Sequence, residues 1–221
     1  MEGHPRTGPS EDNWVMLTRD LLAFVRSSLP PAPSRILEIG AGQGELASAL
    51  SAAGYEVTAI DPAAEPDSHV QPLSLIEVDG QFDAAVAVVA LHHVDPLEES
   101  CAHLATLLRP GGPLAIDEID SDRYDERAAT WWLGQRLALG CCDEEQDPLR
   151  MVDGLRDHVH RLSSIHAALR PQFELGPPVR GPYLHRWNLR AELREAEVDL
   201  IAEGAIPAVG CRQVACRKLV I

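Results

Sequence analysis

The chain has 221 residues, of which 45% are hydrophobic, and its formal net charge at pH 7 is −15. This length suffices for one large core, and no segment approaches the roughly 18 uninterrupted apolar residues of a membrane helix. The negative charge disfavours DNA, RNA and anionic membranes as partners, because they would be repelled. The N-terminal segment lacks a signal-peptide pattern and the five cysteines form no CxxC pair, so a cytoplasmic location is expected.

The first segments predict a tail and one helix. Residues 1–11 are rich in Gly, Pro and charge and are expected to be disordered, whereas residues 12–221 are expected to form a single domain. Asp12 or Asn13 is a candidate N-cap for a helix that runs to about Ser28, with apolar residues at helical spacing. The proline-rich run over 30–33 ends this helix.

Residues 35–61 predict a strand, a glycine loop, a helix and a second strand. Gly40, Gly42 and Gly44 permit a tight turn and a close approach of the backbone to a ligand. The helix is expected from about Glu45, and Asp61 follows the second strand, where a ribose diol is commonly held. This order of elements is typical of the nucleoside-binding half of a doubly wound sheet.

The glycine spacing separates two classes of nucleoside ligand. A dinucleotide fingerprint, GxGxxG, would need its third glycine at position 45, which is Glu45 here. Glu38 and Glu45 would repel a pyrophosphate, whereas they suit a ligand that has a cationic amino group and no phosphate. S-adenosylmethionine (SAM) has this character.

Two later segments predict buried strands of a parallel sheet. QFDAAVAVVALHHV, residues 81–94, predicts a strand over 82–91 that ends in two histidines, and HLATLLRPGGPLAIDE, residues 103–118, predicts a helix end, a turn and another strand. Together with the ExGxGxG loop and Asp61, these segments resemble the motifs of class I SAM-dependent methyltransferases, in the family's order. They are most similar to the type 11-like small-molecule subgroup, which includes quinone and natural-product methylases.

The resemblance implies a Rossmann-like α/β fold: a doubly wound, mostly parallel sheet of seven strands with the last strand antiparallel. A third strand around His69–Leu73 is expected to be short, and three prolines oppose a helix before it. A helical lid, residues 119–171, is expected after the fifth strand. A sixth strand within 173–186, a helix over 188–204 and a last strand over 211–221 complete the prediction.

The resemblance also implies SAM as the cofactor and S-adenosylhomocysteine (SAH) as its product. Glu38 and the glycine loop would hold the methionine part, and Asp61 the ribose hydroxyls. The family's adenine-contacting acid is missing, because Ser74 stands where it is expected, so adenine recognition stays open with Leu73, Ser74 and Leu75 as candidates. The predicted cofactor contacts are Glu38, Gly40, Ala41, Gly42, Gly44, Asp61, Pro62, Leu73, Ser74, Ala90 and Leu91.

A hydroxyl or ammonium acceptor needs a base, and neutral imidazole serves near pH 7. His92 and His93 are the candidate catalytic residues, of which alternation along a strand would place one in the pocket. His92 is favoured because the resemblance puts it near the cofactor; alternatively, both are hydrogen-bonded structural groups. Asp117 and Glu118, at the end of the next predicted strand, either bind an acceptor amine or cap the following turn.

Aromatic residues of the predicted lid are candidates to stack on a flat acceptor and to exclude water. Trp131 and Trp132 would point about 100° apart on a helix, so one can face the pocket while the other packs. Trp14 either packs in the core or lines the pocket. The predicted substrate contacts are Trp14, Asp117, Glu118, Tyr124, Trp131 and Trp132.

His158, His160 and His166 are clustered, but no metal site is predicted, because His158 and His160 do not share a helical face and no acidic partner stands one turn away. The predicted function is transfer of a methyl group from SAM to an O or N of a small molecule by in-line displacement. The alternative is a catalytically silent SAM-binding scaffold or regulator, and a nicotinamide oxidoreductase is a third possibility. A monomer or a homodimer is expected.

Overall fold

Residues 17–65, 68–141 and 146–219 are described by a computed structural model of the chain. Seven strands form one sheet in the order β2-β1-β3-β4-β7-β5, and β6 also pairs with β7. Strands β1 to β4 are parallel, whereas β7 runs antiparallel to its three neighbours. The strands are β1 Arg35–Ile39, β2 Glu56–Ile60, β3 Ala84–Val88, β4 Pro113–Ile119, β5 Phe173–Leu175, β6 Val179–Gly181 and β7 Gly210–Arg217.

Helices cover both faces of this sheet. The first two helices pack on the face that carries Ile36, Val86 and Ala115, and the third and sixth on the face of Leu37 and Leu114. Because both faces are buried, β1 and β3 read as nearly continuous apolar runs. The helices are α1 Arg19–Ser28, α2 Glu45–Ala52, α3 Leu97–Leu107, α4 Glu126–Ala138, α5 Pro148–His158, α6 Leu162–Leu169 and α7 Arg194–Ala202. The predicted doubly wound sheet with an antiparallel last strand is confirmed.

Helix α1 begins at Arg19, with Thr18 as its N-cap: Oγ1 of Thr18 accepts a hydrogen bond from the N–H of Leu21 at 3.1 Å. The predicted caps Asp12 and Asn13, the predicted tail over 1–11 and Trp14 lie outside the described residues. None of the described helices is both long enough and apolar enough to cross a membrane.

The predicted strand over 82–91 is shorter in the structure. Strand β3 ends at Val88 because Val89 has φ +52°, a left-handed conformation that is unusual for a β-branched residue. Residues Leu91–His93 then form a 3₁₀ turn. The expectation that His92 and His93 alternate on a strand is therefore wrong.

The seven strands are not the seven that were predicted. The expected strand around His69–Leu73 is reduced to a single bridge between Ile60 and Gln71. The expected sixth strand is divided into β5 and β6, because Pro177 and Pro178 lack the N–H that a continuous strand would donate. The predicted helix over 188–204 is α7, which begins only at Arg194.

The segment predicted as a lid contains two kinds of helix. Helices α4 and α5 pack together and bury Tyr124, Trp132 and Val152 against two residues of the sheet's edge. These are Val89, which follows β3, and Ile119, which ends β4. Helix α6 instead packs on α3 and connects back to β5. Only α4 and α5 therefore lie where a lid would be expected.

Candidate active site

The glycine loop joins β1 to α2 with three left-handed residues: φ is +68° at Gly40, +54° at Gly42 and +81° at Gly44. A Cβ atom on Gly40 would lie 2.5 Å from Cβ of Ala90, so the loop touches the segment that follows β3. A Cβ on Gly42 would meet no atom within 4 Å. The loop thus packs against the protein at Gly40, whereas the space beside Gly42 is free.

Asp61 ties this loop to the end of β2. Its Oδ2 accepts a hydrogen bond from the N–H of Gly42 and its Oδ1 from that of Ala63, each at 2.9 Å. The N–H of Ala41 donates to the carbonyl of Ile60, also at 2.9 Å. The carboxylate is only half-buried, so its contact with a ribose stays a prediction compatible with this geometry.

Glu38 lies beneath the loop and is 4% exposed. Burial raises the pKa of its carboxyl to about 8, and the charge of Glu45 adds to this shift. Within the described residues, Oε2 of Glu38 has no hydrogen-bond partner. A buried acceptor beside an open glycine loop fits a ligand that carries an ammonium group, as SAM does.

The other predicted cofactor contacts occupy varied positions. Ala41, Ala90 and Leu91 are buried, Pro62 is exposed, and Leu73 is half-buried. The N–H and the hydroxyl of Ser74 both donate to Oε2 of Glu77, at 2.9 and 2.6 Å. Ser74 thereby caps the short 3₁₀ turn Leu75–Glu77, and its contact with adenine stays a prediction.

His69 was not predicted as a residue of the site, because no motif spacing in the sequence marks it. Its Nε2 lies 3.3 Å from the carbonyl oxygen of Gly44 and 3.4 Å from Oγ of Ser48. A Cβ on Gly44 would lie only 2.2 Å from Nε2 of His69. The imidazole therefore covers the beginning of α2, and only glycine leaves room for it.

Glu118 organises the turn that follows β3. Its Oε1 accepts hydrogen bonds from the N–H groups of Ala90 and Leu91, at 2.8 and 2.7 Å, and its Oε2 lies 2.7 Å from Nδ1 of His92. Glu118 is fully buried and His92 is 3% exposed. The carboxylate fixes the ring orientation of His92, which leaves Nε2 as the nitrogen for proton exchange.

His93 is exposed beside this pair, with its ring centroid 4.1 Å from that of His92. Partial burial lowers the pKa of His93 to about 4, and His92 contributes to the shift. His93 is therefore neutral at pH 7. Both predicted catalytic histidines lie at the carboxyl end of β3, where open α/β sheets place their ligands.

The predicted capping role of Asp117 and Glu118 is wrong in detail. Glu118 caps the turn after β3 rather than the turn that follows β4. Asp117 accepts hydrogen bonds from Nη1 of Arg186 at 2.8 Å and from Nε of Arg212 at 2.7 Å. Because these two arginines neutralise Asp117, the structure disfavours its predicted contact with an acceptor amine.

Tyr124 and Trp132 both contact Trp187, which was not among the predicted site residues. Trp132 stacks on Trp187 at 4.6 Å and donates its indole N–H to the Trp187 carbonyl at 2.7 Å. Tyr124 is fully buried, and its ring and that of Trp187 form a T-shaped pair with centroids 5.6 Å apart. Trp131 is half-buried. Trp132 and Tyr124 thus pack in the apolar cluster that α4 and α5 share with Trp187. Their contacts with an acceptor stay a prediction.

The three histidines considered for a metal have other partners or positions. Nδ1 of His158 lies 2.6 Å from the Gly154 carbonyl, and Nε2 of His160 lies 3.0 Å from that of Val94. His166 lies on α6. Across residues 17–65, 68–141 and 146–219, no cluster of three His, Cys, Asp or Glu side chains is arranged to hold a metal ion.

The sheet order, the glycine loop and Asp61 define a Rossmann-like site of the kind that class I methyltransferases use. The chain matches the family model described as "Methyltransferase domain" over residues 16–147. It therefore belongs to the methyltransferase family, and the resemblance to class I SAM-dependent methyltransferases is confirmed.

Similar proteins agree with this assignment. An uncharacterized methyltransferase of Staphylococcus carnosus is 30% identical over 145 residues, covering 59% of this chain and 70% of that protein. A ubiquinone biosynthesis O-methyltransferase of Xanthomonas axonopodis pv. citri is 31% identical over 116 residues, covering 45% of this chain and 48% of that protein. The chain thus spans about half the length of that O-methyltransferase.

A solved structure shares the fold. The S-adenosylmethionine dependent methyltransferase from Mesorhizobium loti has a TM-score of 0.56 at 19% identity, covering 90% of this chain and 97% of that one. At this identity the likeness shows the fold alone.

Proposed function

We propose that the chain transfers the methyl group of SAM to an oxygen or nitrogen of a small-molecule acceptor. One observation carries the proposal: Gly40 of the glycine loop touches Ala90, and Ala90 belongs to the turn that Glu118 and His92 organise. The cofactor loop and a held imidazole thus meet at the carboxyl ends of β1 and β3. This juxtaposition is what a methyl donor and a proton acceptor need.

The donor would be held by the chain's own acidic groups. Oε2 of Glu38 offers a buried acceptor to the ammonium group of SAM, while the open side of Gly42 leaves room for its amino-acid part. Asp61 would bind the ribose through the lone pairs that its two backbone hydrogen bonds leave free. When bound, SAM supplies an electrophilic methyl group on a sulfonium.

His92 would act as the base. As the acceptor's oxygen or nitrogen takes the methyl group in place of the SAM sulfur, its proton would pass to Nε2 of His92. Glu118, held against Nδ1, stabilises the imidazolium that forms. Helices α4 and α5 would keep water from the reacting atoms.

The acceptor class to test first is a small hydroxylated compound. One relative is named a ubiquinone biosynthesis O-methyltransferase, which supports oxygen methylation of a small molecule. The net charge of −15 makes a polyphosphate acceptor unfavourable.

The proposal is tested by calorimetric titration with SAM, SAH and NAD, followed by measurement of SAH release with a panel of phenols and amines. Binding of SAM with turnover of at least one acceptor is expected. Binding of SAM without turnover across the panel would favour the silent scaffold. Preference for NAD over SAH would overturn the proposal.

A further inference from the structure

A cavity of about 180 Å³ lies between β4, β6, β7 and the beginning of α1, separate from the glycine loop. Its charged lining contains four arginines and two aspartates. This lining is unusual for a chain whose net charge is −15. The charged residues are Arg180, Arg186, Arg194, Arg212, Asp20 and Asp117.

The arginines outnumber their carboxylate partners. Arg186 and Arg212 share Asp117, as described above, and Arg194 pairs with Asp20 at 2.7 Å. Arg180 pairs with Asp120 beside the cavity. The four guanidinium groups thus share three carboxylate partners, Asp117, Asp20 and Asp120.

Arg186 has hydrogen-bond donors that are buried and unused. Its side chain is 4% exposed, and only Nη1 is bonded, to Asp117. Within the described residues, Nε and Nη2 have no partner. Buried donors without acceptors are costly, and these two nitrogens form an edge of the guanidinium that can bond to both oxygens of a carboxylate.

The backbone before Arg186 is held firmly, so the unused edge belongs to an ordered part of the fold. The buried carboxylate of Glu197 accepts hydrogen bonds from the N–H groups of Tyr183, Leu184 and His185, at 2.7, 2.9 and 2.9 Å. The same carboxylate lies 2.7 Å from Nδ1 of His185. Arg186 is thus presented from a fixed turn rather than from a free loop.

Asp117 lines the cavity and directly precedes Glu118, which holds His92, on β4. Asp117 pairs with Val88 across β3 and β4, and its carbonyl accepts the N–H of Val89 at 2.7 Å. Val89 directly precedes the turn that carries His92.

We propose that this cavity binds a carboxylate of the methyl acceptor, with Nε and Nη2 of Arg186 as paired donors. The inference rests on the proposed function and narrows its substrate class to small organic acids. Arg186 is a binding residue in this scheme, and Asp117 and Arg212 position it.

The test uses the full chain with SAH already bound and benzoate as the probe. Calorimetry should show that benzoate binds at least about tenfold more tightly than benzamide, which has the same shape without the charge. Inorganic phosphate is titrated in parallel. Equal binding of benzoate and benzamide, or tighter binding of phosphate than of benzoate, would overturn the carboxylate assignment.

Two variants locate the site. Arg186→Lys keeps the positive charge but loses the paired edge, so it should weaken benzoate binding about tenfold or more. Arg150→Lys is the matched control, because Arg150 lies on α5 with its side chain 90% exposed. Unchanged benzoate affinity in Arg186→Lys would overturn the inference. If that variant does not fold, the comparison of benzoate with benzamide on the unaltered chain decides the matter.

SAH binding, measured first, separates the two proposals. Absence of SAH binding would refute the proposed function, and with it the role of the cavity as an acceptor site. SAH binding without a preference for benzoate would refute only the inference about the cavity.

Discussion

Glu118 and His92 are joined across the carboxyl ends of β3 and β4, with Oε2 of the one 2.7 Å from Nδ1 of the other. The same carboxylate holds the N–H groups of Ala90 and Leu91. A single buried glutamate thus shapes the turn and orients the imidazole on it. Glu197 makes the same kind of hydrogen bonds to the backbone and imidazole of Tyr183-Leu184-His185, so this pattern occurs twice in the fold.

Glu118→Gln should destabilise the protein by about 3 kcal/mol, because an amide cannot replace a carboxylate that accepts three hydrogen bonds in a buried site. Urea denaturation measures the free energy of unfolding. Glu98→Gln, at an exposed position on α3, should change it by less than about 0.5 kcal/mol. A Glu118→Gln variant as stable as the parent would contradict the role given to this carboxylate.

His92→Gln should lower turnover about 100-fold or more, once an acceptor is known, because the proton acceptor is removed. His93→Gln should have a much smaller effect, since His93 lies beside the His92–Glu118 pair and is not hydrogen-bonded to Glu118 in the network described above. Kinetics of SAH formation and calorimetry with SAH provide the two readouts. SAH affinity should be nearly unchanged in both variants; equal turnover losses would argue against His92 as the base.

Glu38→Gln should alter how stability depends on pH in the absence of cofactor. The pKa of Glu38 is raised in the folded protein from 4.5 to about 8. Between these values the folded state holds a proton that the unfolded state has lost, so stability falls as pH rises, by up to about 1.4 kcal/mol per pH unit. Urea titrations at pH 5, 7 and 9 should show a steeper fall for the parent than for the variant. Identical pH profiles would contradict the raised pKa.

Asp61→Ala should weaken SAH binding by at least about tenfold, because it removes the acceptor for the N–H of Gly42 and the expected partner of the ribose. Asp79→Ala removes an exposed carboxylate outside this loop and serves as the control. Calorimetry measures both. If Asp61→Ala bound SAH as the parent does, the ribose assignment would fail.

Gly40→Ala and Gly42→Ala should differ in stability although both introduce a left-handed alanine. At Gly42 only the backbone strain of about 1–2 kcal/mol applies, since the new Cβ meets no atom. At Gly40 the Cβ would also collide with that of Ala90, which should raise the cost to about 3 kcal/mol. Adding Ala90→Gly to Gly40→Ala should restore part of this loss. Equal urea midpoints for the two single variants would show that the loop and the turn are not in contact.

The sequence by itself determined the parallel half of the sheet and the cofactor loop. In this region the signals are local: continuous apolar runs mark strands buried on both faces, and glycines mark backbone with positive φ. The expected helix after the loop begins at Glu45 in the structure, and Asp61 follows β2. No distant residue is needed to interpret such patterns.

The tertiary structure alone decided how the buried charges are matched. Arg186 meets Asp117 across 69 positions of sequence, and Glu118 meets His92 across 26. Strand β3 likewise ends at Val88, where Val89 adopts a positive φ just before Ala90 meets Gly40 of the loop after β1. Such contacts arise from which strand ends the topology brings together, and a buried charge is stable only where that topology supplies its partner. The sequence could therefore nominate His92 and Glu118 separately, but only the fold joined them.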